Sequence, residues 1–75
     1  MSLINENKDF GVIAELIPNN ASVIDVGCND GSLLEYLREY KNIDGRGMEI
    51  DHKKVQLCLA KGISVIEGEA DTDLY

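Results

Sequence analysis

The stretch Ser22-Val23-Ile24-Asp25-Val26-Gly27-Cys28-Asn29-Asp30-Gly31 constrains the fold of this chain more than any other. A β-branched run ends on Val26, and a loop of Gly, Asn and Asp follows. The helical spacing of Leu33, Leu34 and Leu37 then begins. β-Branched residues favour extended backbone, while Gly, Asn and Asp tolerate positive φ. The stretch therefore reads as a buried strand that turns sharply into a helix.

The alternation continues on both sides. Phe10, Ile13, Ala14 and Ile17 fall on one face of a helix, which Pro18-Asn19-Asn20 ends. The helix after the loop is expected over residues 32–40, with Asp30 or Ser32 as its cap and three leucines inward. Residues 46–50 read as a second strand. Asp51 then caps a third helix that turns Val55, Cys58 and Leu59 inward, and Gly62 stops it. Residues 63–67 make a third strand. Helices of about ten residues between strands imply parallel βαβ units with right-handed crossovers. The expected fold class is α/β: a Rossmann-like three-stranded parallel sheet, order 3-2-1, with flanking helices.

Seventy-five residues without repeat or linker make one unit, 1–75. A chain this short buries only about 60% of its unfolded surface. Fourteen acids against seven bases give a net charge of -7, which argues against a nucleic-acid backbone as partner. Residues 1–9 carry Glu and Asp and no apolar core, so no signal peptide is expected, and no apolar run is long enough to span a membrane. Cys28 and Cys58 form neither a metal-ligand spacing nor a disulfide framework. Both read as core or loop packing. A reduced, cytoplasmic location is the expectation. His52 reads as polar surface at a helix start.

Ligands of such sheets bind beyond the carboxyl ends of the strands. After the first strand stands Asp25-x-Gly27-x-Asn29-x-Gly31; after the second, Glu49; after the third, Glu69. Glycine lets the backbone turn and approach a ligand closely, and the following helix offers free N–H groups. A carboxylate at Glu49 suits the two hydroxyls of a ribose, and Glu69 is set to meet an adenine edge. A dinucleotide fingerprint would put glycines at 27, 29 and 32, where the chain has Gly27, Asn29 and Ser32. The Gly-Lys-Ser/Thr ending of a P-loop is absent. An acidic rim would disfavour a pyrophosphate.

This spacing resembles the first motif of class I methyltransferases, which bind S-adenosylmethionine. The longer run resembles the methionine-biosynthesis MetW family of methyltransferase-like proteins. Ile17-Pro18, Val23-Ile24-Asp25-Val26-Gly27-Cys28 and Asp30-Gly31 with Leu33-Leu34 match its opening. Gly47-Met48-Glu49-Ile50-Asp51, Val55, Cys58, Gly62, Val65-Ile66 and Gly68 match its continuation. The resemblance implies cofactor contacts at Asp25, Gly27, Cys28, Asn29 and Gly31, at Glu49 and Ile50, and at Glu69 and Ala70. Asp25, Gly27 and Gly31 would line the methionine end, Glu49 would hold the ribose and Glu69 the adenine amine. Asn29 stands where the family has a middle glycine, and Glu69 where it usually has Asp.

The resemblance covers the N-terminal half of the methyltransferase fold. The strands that build the acceptor pocket lie beyond it, so these 75 residues are not expected to transfer a methyl group on their own. The first strand, central in the whole fold, becomes an exposed edge, and self-association through it is expected. The resemblance further implies a homoserine acyltransferase as partner. Two other readings stand beside cofactor binding: a protein-interaction module that has lost the ligand, and a nicotinamide-dinucleotide fragment.

Overall fold

The computed structural model describes residues 10–69. Its elements run α1 (Phe10–Glu15), β1 (Ser22–Val26), α2 (Ser32–Lys41), β2 (Asp44–Glu49), α3 (His52–Ala60) and β3 (Ser64–Glu67). The three strands form one parallel sheet in the order β1-β2-β3, as expected. Register pairs Asp25 with Gly47 and Val26 with Met48 on one side, and Glu49 with Glu67 on the other. All three strands therefore end together, and their carboxyl ends make one rim.

The core lies on one face of the sheet. Ala14 of α1, Leu34 and Leu37 of α2, and Cys58 of α3 pack with Cys28, Ile43 and Ile63, while Val23 and Val65 close the cluster from the strands. Two glycines on β2 set the distance between sheet and helix. A side chain at Gly45 would run into Ile43 and Leu34, and one at Gly47 into Cys28 Sγ and Leu34. The loop after β1 can thus press its cysteine directly onto the backbone of β2.

Strand alternation sends Ile24, Val26 and Ile66 to the opposite face, where they are exposed by 68%, 54% and 60%. The expectation of a buried first strand is corrected here: only the Val23–Asp25 side of β1 is covered. The cause is topological, because α1, α2 and α3 all contribute to the same core. Met48, on the central strand between the register partners Val26 and Ile66, is buried.

Three further expectations need correction. Neither Asp30 nor Ser32 caps α2; the cap position is Gly31, left-handed at φ 84° with no side-chain bond. Asp30 instead accepts from the backbone N–H and hydroxyl of Ser32, at 3.0 and 2.7 Å. Leu59 is 57% exposed rather than inward, because α3 presents only the narrow Val55–Cys58 stripe to the sheet. The second strand runs from Asp44 to Glu49 rather than over 46–50, and the N–H of Asp44 donates to Ala21 O at 2.9 Å. Asp51 does cap α3, accepting from the N–H groups of Lys53 and Lys54. Gly62 turns the chain out of α3 at φ 74°. Among the described residues no helix is long and apolar enough to cross a membrane.

Candidate functional site

The site is built where β1 and β2 end. Leaving β1, the chain adopts left-handed backbone at Gly27 (φ 74°), Asn29 (φ 60°) and Gly31 (φ 84°). That geometry explains the residue types, since only Gly, and less readily Asn, enters this region at little cost. Two consecutive N–H groups, of Gly27 and Cys28, donate to Met48 O at 2.7 and 3.1 Å. The loop is thereby bent back over β2 rather than extended away from it. At Gly31 a Cβ would lie 3.1 Å from Cys58 Sγ, so the close approach of α3 requires glycine as much as the dihedral does.

Glu49 closes β2 and is 7% exposed, the sole charged side chain buried among the described residues. Its Oε1 accepts from the N–H of Asn29 at 2.7 Å, and its Oε2 from the N–H of Asp51 at 3.0 Å. Each oxygen keeps a further lone pair for a hydroxyl donor. The main chain of Glu49 is engaged as well, accepting from Gly68 N–H at 3.0 Å, which brings the loop after β3 alongside. Asp25 shares this neighbourhood. Burial pushes its carboxyl above the usual aspartate range, and the negative charge of Glu49 pushes it further. Two acids on one partly dry rim attract a cation and repel a phosphate.

Asp30, beside them, behaves oppositely. The bonds from Ser32 hold its carboxyl below the usual range, and Lys61 adds to the effect. Lys61 reaches back from the end of α3 to donate to Asp30 O at 2.9 Å and Ser32 Oγ at 3.1 Å. No sequence signal pointed to Lys61, because its partners are far along the chain and meet it only once α3 folds over the loop. His52 pairs with Glu67 across 2.7 Å, joining the start of α3 to the end of β3 rather than pairing with its neighbour Asp51.

The structure therefore brings together Asp25, Gly27, Cys28, Asn29, Gly31 and Glu49. Ile50, the next residue, is 60% exposed at the rim. Glu69 lies two residues beyond the end of β3 and is exposed. Ala70 lies outside the described residues. Cys28 itself is buried under the loop, with its thiol facing Cys58 rather than solvent. No group of three or more metal-ligating side chains occurs among the described residues. A groove of about 450 Å³ lined by Phe10, Tyr36 and Tyr40 lies along α1 and α2.

Residues 7–75 match the family described as methionine biosynthesis protein MetW. The chain belongs to the MetW family. A relative, the bifunctional methionine biosynthesis protein MetXA/MetW of Rhodopirellula baltica, is 32% identical across 85% of this chain. The chain spans only 12% of that relative's length. The crystal structure of a TehB-like SAM-dependent methyltransferase from Corynebacterium glutamicum superposes with a TM-score of 0.76. It shares 21% identity, over 85% of this chain and 35% of its own, and the likeness is one of fold. The MetW-family chain thus has a methyltransferase-like fold.

Proposed function

We propose that this MetW-family chain carries the S-adenosylmethionine-binding half of a methyltransferase-like protein. The observation that supports the reading is Glu49: a buried carboxylate, fixed by two main-chain N–H groups, at the strand end where a ribose would lie. A buried charge costs stability unless it is paired, so its retention with only neutral donors suits a ligand that supplies two more. Asp25 and the loop of residues 27–31 would take the methionine end, where the ammonium and sulfonium meet acid rather than base. Asn29 fits because its backbone already holds the left-handed conformation a glycine would take and its side chain is exposed. Glu69 and Ala70 would meet the adenine. When bound, the cofactor would supply an electrophilic methyl group. The residues of this chain bind and orient it.

The test is a calorimetric titration with S-adenosylmethionine, NAD serving as control. Saturable binding of the first alone supports the proposal, with Glu49→Ala weakening it at least tenfold, about 1.4 kcal/mol. Binding of NAD in preference would favour the dinucleotide reading.

A second reading has its own observation. Ile24, Val26 and Ile66 form an apolar strip on the open face of the sheet, and among the described residues β1 is an edge strand. Such surfaces recruit protein. We infer that this side serves assembly, either with a second copy or with an acyltransferase partner. The fused MetXA/MetW relative supports the second of these.

A further inference from the structure

Cys28 and Cys58 are free, buried to 3% and 0% exposure, and their Sγ atoms lie 3.7 Å apart. They come from different parts of the architecture. Cys28 belongs to the loop after β1, and Cys58 to the buried stripe of α3. Cys58 Sγ also donates to Asn29 O at 3.2 Å, so α3 is already bonded to the loop through sulfur. Each sulfur packs against a residue without a side chain, Cys28 on Gly47 and Cys58 near Gly31. No atom group stands between the two thiols, and each is the other's partner.

We propose that Cys28 and Cys58 are an oxidative modification site, closed to an intrachain disulfide by a small-molecule disulfide such as oxidised glutathione, which latches the loop of residues 27–31 onto α3. Closing the pair brings the sulfurs from 3.7 Å to a bond of about 2.05 Å. The exchange balances. One cysteine thiolate attacks the small-molecule disulfide, forming a mixed disulfide and releasing one thiol. The second cysteine then attacks the protein sulfur of that mixed disulfide and releases the other thiol. The two cysteines lose two protons and two electrons, and the reagent takes both as two thiols.

Burial pushes the Cys28 thiol up to about 12, and its bond with Cys58 adds to the effect. The closed, reduced pair is therefore slow to react, and exchange proceeds when the loop lifts from α3. The latch holds Asn29 and, through its N–H, the carboxylate of Glu49 in the geometry described above. The proposal does not rest on the cofactor reading, since it concerns only the loop and α3.

The experiment equilibrates the folded 75-residue chain with glutathione at fixed ratios of oxidised to reduced form, in buffer and in urea. Intact mass and free-thiol counts are read after acid quench. The expected result is concerted loss of both thiols in a monomer. The equilibrium constant should exceed that in urea by roughly 10- to 1,000-fold, and the melting midpoint should rise by several degrees. Cys28→Ser and Cys58→Ser should each give only a mixed glutathione adduct with no such rise. Retention of both thiols under these conditions would overturn the proposal. So would an equilibrium constant in buffer no greater than that in urea, or disulfides formed only between chains.

Discussion

The N–H of Asn29 donates to Oε1 of Glu49 at 2.7 Å, tying the loop after β1 to the end of β2. Asn29 is thus one of two residues, with Asp51, whose N–H groups fix the buried acid. Asn29 contributes through its backbone, and its left-handed φ of 60° aims that N–H inward.

Removing the acid should therefore show in stability as well as in binding. Glu49→Ala leaves the N–H groups of Asn29 and Asp51 without their acceptor and should cost about 2 kcal/mol. Urea denaturation followed by circular dichroism checks this. Glu49→Gln, which keeps an acceptor oxygen, should recover part of the loss.

Asp25 should behave in the opposite sense. Its folded carboxyl is raised, by burial first and by Glu49 second, so the charged form is disfavoured on folding. Its contribution favours folding below the unfolded value and is lost as pH rises through the raised folded value. Asp25→Asn should accordingly melt higher than the parent at neutral pH. The difference should shrink as pH falls through the raised folded value and be gone below about 4. Melting curves across that range decide it. The same variant should bind an S-adenosylmethionine-like cation more weakly.

His52 offers a direct pH readout, because it is the chain's single histidine. Its bond to Glu67 raises it above 6.5, and Glu67's charge adds to the effect. Glu67→Gln should bring the imidazole titration, followed by proton NMR, back toward 6.5. The pairing stabilises the fold fully below the unfolded value, and its contribution disappears as pH rises through the folded one. Both side chains are largely exposed, so the effect on melting should be small.

How much of this was legible in the residues differs by feature. The alternation of helical and strand periods gave the parallel order, because each short apolar run had a glycine-rich or Asn-rich turn beside it. Asp51 as a cap was legible for the same reason, a local bond between side chain and nearby N–H groups. Leu59 was not. Its spacing matches Val55 and Cys58, but whether a helix buries a wide or a narrow stripe depends on the width of sheet beneath it. Nor was the half-bare β1, since Ile24 and Val26 look like core until the side on which the helices pack is known. Glu49 was visible as a strand-end acid. That two N–H groups from separate loops would fix it, and that Lys61 would brace Asp30, depends on contacts between segments distant in sequence.

That bare strip leads to a test of assembly. With Ile24, Val26 and Ile66 exposed, the chain should self-associate at high concentration, more so in salt that screens its charge of -7. Ile24→Lys should return it to a monomer of 8.3 kDa in size-exclusion chromatography with light scattering. A parent chain monomeric at every concentration would remove self-association from the account.

The most direct test of the central claim is the heat of titrating this chain with S-adenosylmethionine, run beside Glu49→Ala and against NAD. The account expects saturable binding of S-adenosylmethionine alone, weakened at least about tenfold in the variant. A flat trace from a chain shown to be folded, or equal affinity in the Glu49 variant, would contradict it.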